Sequence, residues 1–113
     1  MPTTLSQASE DTTPRPTLPA WRSLLEDRWQ ERLSTLTELS LAYHDARSPQ
    51  LKQLLREATA ARRALSDTEE ALARLSGGDF GRCEQCSVLI PAARLLAEPE
   101  ARYCADCVTP GAA

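Results

Sequence analysis

All four cysteines of this 113-residue chain fall in its last third, as two pairs, Cys83-Glu84-Gln85-Cys86 and Cys104-Ala105-Asp106-Cys107, with seventeen residues between them. Two residues between cysteines let one tight turn aim both sulfurs at a single point, and two such turns supply the four corners of a tetrahedron. The spacing lies within the range of a four-cysteine zinc ribbon, which predicts Cys83, Cys86, Cys104 and Cys107 as the ligands of one zinc ion. A closed shell of four thiolates leaves no position for water, so the expected zinc is structural. Two disulfides, a redox pair and a mononuclear iron site are the rival readings. A redox motif would sit beside a βαβ unit, which this chain is too short and too helical to build, and zinc is the favoured reading.

Upstream, the apolar residues follow helical steps. Leu18, Trp21, Leu25, Trp29, Leu33, Leu36, Leu39 and Tyr43 succeed one another at intervals of three or four, which is one face of a helix. Leu51, Leu54, Ala58, Ala61, Leu65, Thr68, Leu72 and Leu75 do the same as an unbroken heptad pattern. Between them, Ser48 is expected to cap the second helix and Pro49 to occupy its first turn, where the missing N–H is not needed. Gly77 or Gly78 is expected to close that helix in a left-handed conformation. Near-equal lengths and a short connection predict an antiparallel pair, so the fold class is mainly α: a long coiled-coil hairpin with the finger at its base. Large Leu33 and Leu36 would then face small Ala58 and Ala61, and both Trp residues are expected to pack in the core.

The predicted organisation is a disordered tail over 1–17, the hairpin over 18–76 with its tip near 44–48, the finger over 77–110 and a disordered end over 111–113. A finger of this size cannot bury enough apolar surface alone, so metal binding should supply much of its folding free energy. Val88, Leu89, Ile90, Leu95 and Leu96 form the apolar set expected to pack under the ion and against the hairpin, with Phe80 and Trp21. Residues 92–97 read as a short helix. Arg82, Arg94 and Arg102 lie close enough in sequence to offset the charge of the thiolates.

The formal charge of −3 argues against a surface built to wrap phosphate backbone. The hairpin balances nine basic against nine acidic residues, and the segment from Gly77 onward holds three against five, so sequence-specific DNA binding is not expected. No secretory leader and no membrane span is legible, which points to a cytoplasmic protein with reduced thiols. A monomer is favoured by the hairpin geometry, and no nucleophile and base pair suggests an enzyme.

The residues Asp79-Phe80-Gly81-Arg82-Cys83-Glu84-Gln85-Cys86, then Ile90, Arg94-Leu95, Ala97, Pro99 and Cys104-Ala105-Asp106-Cys107, resemble the DksA/TraR-type four-cysteine zinc finger of bacterial RNA polymerase-binding transcription factors. With the helices before it the resemblance covers about residues 20 to 107. It implies a transcription regulator whose finger anchors a coiled coil, and whose tip enters the secondary channel of RNA polymerase without contacting DNA. The alternative is an adaptor that keeps this scaffold and binds another protein. The family's promoter-acting members are similar to one another in an Asp-x-x-Asp-x-Ala tip. An ungapped carry-over places Ser40, Tyr43 and Asp45 there, so the tip candidates are Asp45, the one carboxylate at the turn, with His44 and Arg47. Members that respond to the guanosine tetraphosphate alarmone carry cations at positions filled here by Asp67, Glu98 and Val108, and an alarmone-independent protein is expected.

Overall fold

The structure is a computed structural model that describes residues 13–112. The first twelve residues of the tail expected over 1–17, and the last residue of the end expected over 111–113, lie outside the described residues. Two long helices, α1 (Leu18–Asp45) and α2 (Ser48–Gly77), form the hairpin; two short ones, α3 (Ala92–Ala97) and α4 (Ala105–Ala112), belong to the finger. Among the described residues no helix is long and apolar enough to cross a membrane.

Two side-chain bonds fix the antiparallel register of the hairpin. Arg22 donates to Ser76 Oγ at 3.3 Å and the Trp29 indole N–H donates to Glu69 at 3.1 Å, seven residues farther along α1 and seven back along α2. Helix α1 starts at Thr17, whose hydroxyl accepts from the Ala20 N–H and whose carbonyl accepts from Trp21. At the turn the cap of α2 falls one residue earlier than expected, on Arg47 rather than Ser48. Gln50 reaches back so that its side-chain oxygen accepts the Arg47 N–H at 2.9 Å, half of a capping box, which places Ser48 and Pro49 in the first turn of the helix. Gly78 ends α2 at φ 89°, donating to the carbonyls of Arg74 and Leu75, with Asp79 also donating to Arg74.

Burial grades along the hairpin. Trp21, Leu25, Ala71 and Leu75 at the base are buried with Ile90, Leu95 and Ala101 of the finger, and Leu24, Leu72 and Phe80 pack against them. Trp21 meets the Phe80 ring at 5.1 Å between centroids, tilted by 58°, a favourable aromatic geometry. Toward the tip, the seam residues Leu33, Leu36, Leu39, Leu51, Leu54, Ala58 and Ala61 are only half-buried. The reason is coverage: a lone helix pair shields each seam residue from one side, while at the base the finger adds a third layer. The expected apolar set of the finger divides accordingly. Ile90 and Leu95 are fully buried, whereas Val88, Leu89 and Leu96 are 40–50% exposed.

Just before α1, the Arg15 side chain donates to the Ile90 carbonyl at 2.9 Å, a contact with the finger.

Candidate metal centre

The first knuckle is a tight reversal. Gly81, at φ 86°, accepts the Ile90 N–H at 2.7 Å; Cys83 donates to the Val88 carbonyl at 2.9 Å; and Ser87 donates back to the Cys83 carbonyl at 2.8 Å. Closing the turn this tightly puts Ser87 itself at φ 68°, a left-handed conformation uncommon for a residue with a side chain. The second knuckle opens α4, with Cys107 and Val108 donating to the Cys104 carbonyl at 3.1 and 3.0 Å. One strut joins the two: the Glu84 N–H donates to the Arg102 carbonyl at 2.8 Å.

These turns bring the sulfurs of Cys83, Cys86, Cys104 and Cys107 within 4.8 Å of one another, with Cys86 and Cys104 3.8 Å apart. A tetrahedral zinc with bonds of ~2.3 Å requires sulfurs about 3.8 Å apart, so the cradle fits the ion. The protonation pattern fits as well. Burial acts to raise the Cys83 thiol, but backbone N–H groups of Cys104, Cys86 and Gln85 and the Cys107 side chain outweigh it and bring Cys83 down to about 6. The Val88 N–H favours a Cys86 thiolate, yet burial and the neighbouring Cys83 sulfur raise it overall. Cys107 is pushed up by the Cys83 and Cys104 sulfurs and by burial. One sulfur ionises readily and its neighbours then resist, which is the behaviour of a site whose full ionisation awaits a cation.

The arginines expected near the thiolates have other partners. Arg82 donates to the Ser87 carbonyl at 3.1 Å and Arg94 to the Tyr103 carbonyl at 3.3 Å, so both tie knuckle backbone. Arg102 pairs with Glu70, and lies 3.8 Å from Asp67 and 3.7 Å from Glu84, joining α2 to the finger.

The residue that sequence reasoning missed is Glu100. Its carboxylate accepts two hydrogen bonds from Arg28 of α1, both at 2.8 Å, and one from Thr68 of α2 at 2.7 Å, with Arg32 Nε 3.5 Å away. Arg74 adds a contact to the Glu100 carbonyl at 3.4 Å. Burial opposes ionisation of Glu100, but the hydrogen bonds from Arg28 and Thr68 and the nearby charge of Arg28 and Arg32 win and hold its carboxyl below the usual range. Hydrogen bonding to Glu100 raises Arg28 correspondingly. One finger carboxylate thus clasps both hairpin helices. A signal was available in the sequence: Thr68 is a polar residue in an apolar heptad position, and fully buried hydroxyls are held by partners.

At the other end, His44 and Asp45 close α1 and Arg47 precedes α2, and all three are exposed. The molecule extends 63 Å along its longest axis, with the cysteine cluster in the finger at the base and these three residues at the tip.

Fold and site together define a helical arm mounted on a four-cysteine finger. The model of the prokaryotic dksA/traR C4-type zinc finger matches residues 78–109. The RNA polymerase-binding transcription factors DksA of Escherichia coli (strain K12) and Salmonella typhimurium are each 31% identical over 97 residues. In each case the match takes in 81% of this chain and 64% of the relative, so the chain spans just under two thirds of the length of these relatives. The structure of transcription factor DksA2 from Pseudomonas aeruginosa superposes with a TM-score of 0.77 at 26% identity, covering 83% of this chain and 81% of that one. Residues 78–109 form a DksA/TraR-type C4 zinc finger, whose four clustered cysteines fit one structural zinc.

Proposed function

We propose that this protein is a transcription regulator that binds bacterial RNA polymerase by inserting the hairpin tip into the secondary channel. The finger serves as its structural anchor, with Cys83, Cys86, Cys104 and Cys107 as the zinc ligands. The observation that carries this reading is the extent of the likeness: it runs through arm and finger alike, over 81% of the chain, to proteins named for polymerase binding. The architecture supports it in physical terms. A slender arm fixed at one end by a metal-clamped base can carry a group at its tip into a narrow opening without unfolding.

Tip contacts are assigned to His44, Asp45 and Arg47. All three are exposed, and Asp45 is the one carboxylate there. The protein acts without catalysis of its own, without sequence-specific DNA contact, as a cytoplasmic monomer. It is alarmone-independent: Asp67, at a position where the responsive pattern has a cation, is a carboxylate facing Arg102, while Glu98 and Val108 are exposed and lack positive charge. The test is competition for purified core polymerase between the zinc-loaded protein and a known secondary-channel factor. Mutual displacement is expected; an adaptor for some other protein would not compete.

A further inference from the structure

The first knuckle is a short two-stranded ladder, and Cys83 is held only as firmly as that ladder. Arg82 and Leu89 face each other in an antiparallel bridge; the Ile90 N–H donates to the Gly81 carbonyl at 2.7 Å and the Cys83 N–H to the Val88 carbonyl at 2.9 Å. A hairpin of two bonds is marginal by itself. Cys86, at the turn of this ladder, is the exposed one of the four cysteines, so a competing chelator meets the centre here.

A side chain from outside the finger reaches across both strands. Arg15 stands two residues before Thr17, the cap of α1, and 75 residues from Ile90 in the chain. One end of its guanidinium, Nη1, donates to the Ile90 carbonyl at 2.9 Å. The other end, Nη2, lies over the opposite strand: a methyl group at Gly81 would stand 3.1 Å from it. Gly81 therefore meets two demands, a φ of 86° and an empty space in which the guanidinium sits. The planar fork of an arginine suits such a bridge, where the point charge of a lysine would reach one strand only. Arg82 and Arg94 tie knuckle backbone from within the finger, whereas Arg15 ties it to the segment that opens α1. The Glu100 clasp acts elsewhere, four residues before Cys104, so the two ties serve different knuckles.

We propose that Arg15 is a latch on the metal centre: by spanning the strands of the first knuckle it slows the opening of that knuckle and so sets the rate of zinc release, without being a ligand. Zinc leaves a closed four-thiolate shell only after one pair of sulfurs swings away. The Cys83 and Cys86 pair swings when the ladder opens, and the guanidinium must first let go of Ile90. Metal binding and folding of a small finger are one equilibrium, so a contact that holds the folded knuckle also holds the ion. The latch rests on Cys83, Cys86, Cys104 and Cys107 being the ligands of one zinc, as proposed above, and is independent of the polymerase reading.

The test uses the full zinc-loaded chain mixed with an excess of the chelator pyridylazoresorcinol, whose colour reports the released metal. Arg15→Ala should release zinc about threefold faster or more, the effect of a charge-assisted hydrogen bond weakened by exposure of the guanidinium to solvent. Arg15→Lys should fall between that variant and wild type. Exchange of the Ile90 and Cys83 amides, followed by NMR, should quicken in Arg15→Ala while amides in the middle of α2 keep their rates. Gly81→Ala should also speed release, but by a smaller factor in the Arg15→Ala background, where its methyl no longer meets the guanidinium. Faster release with unchanged exchange at Ile90 and Cys83, or strictly additive effects of the two substitutions, would overturn the latch. One zinc per chain with equal release from wild type and Arg15→Ala would reject the latch alone, while a wild-type chain that holds no zinc would overturn the ligand assignment and the latch with it.

Discussion

Replacing Glu100 by Ala should loosen the finger from the hairpin, because its carboxylate joins the finger to both long helices. The carboxylate accepts two hydrogen bonds from Arg28 and one from Thr68, all at 2.7–2.8 Å, and only 9% of its side chain is exposed. Removing one partner of a fully buried ion pair costs about 3–5 kcal/mol, because the other charge is stranded. Two features lower that figure here. Arg28 and Arg32 keep 30% and 28% of their side-chain surface exposed, so both guanidiniums can rehydrate. Thr68 retains the Ala64 carbonyl as acceptor at 3.1 Å, so its buried hydroxyl is not orphaned. A cost of about 2 kcal/mol remains, which lowers the melting temperature of a domain this size by roughly 10 °C. Glu100→Gln, which keeps an acceptor but loses the charge, should fall between that variant and wild type. Thermal melts of the zinc-loaded proteins followed by circular dichroism, with Arg28→Met and the double variant to close a mutant cycle, measure this directly. A melting temperature unchanged in Glu100→Ala, or a cycle with no coupling energy, would refute the assignment of Glu100 as the clasp.

The remaining expectations follow from local geometry. Cys104→Ser should abolish zinc retention, measured by elemental analysis, and with it the protection of finger amides in hydrogen exchange; intact protection without metal would contradict a structural zinc. Zinc uptake at neutral pH should release protons, because Cys86 and Cys107 are held above the ordinary thiol value; affinity therefore rises with pH, and calorimetry in buffers of different ionisation enthalpy would expose a release of none. Gly78→Ala should cost about 1 kcal/mol, the strain of a left-handed residue in open space. Gly81→Ala should cost about 2 kcal/mol by denaturant unfolding, since its new methyl would also lie 3.1 Å from the Arg15 guanidinium and 3.4 Å from Leu95; equal costs at the two glycines would contradict the crowding at Gly81.

How far the sequence specified this molecule depends on which residues are asked. The heptad stripe from Leu51 to Leu75 marks the face of α2 that meets α1, because amphipathic periodicity is a one-dimensional pattern with a one-dimensional cause. The cysteine spacing likewise encodes the knuckles, each of which is a local turn. The division of the finger's apolar residues was not legible. Val88 and Leu89 are as hydrophobic as Ile90, and only the reversal at Ser87 decides which of them turns inward. Glu100 escaped because its partners lie 72 and 32 residues away in the chain, and a charged residue in a loop reads as solvated until the fold brings Arg28 and Thr68 to it. The cap of α2 falls on Arg47, whose backbone N–H is accepted by the Gln50 side chain, a pairing that the Ser-Pro dipeptide at the turn does not signal.

The most direct measurement is binding of the zinc-loaded protein to purified core RNA polymerase in competition with a secondary-channel factor, with an Asp45→Asn variant alongside. Saturable binding that the competitor displaces, with the transcriptional effect weakened in Asp45→Asn, is the predicted result; no binding, or simultaneous binding of both proteins, would contradict it.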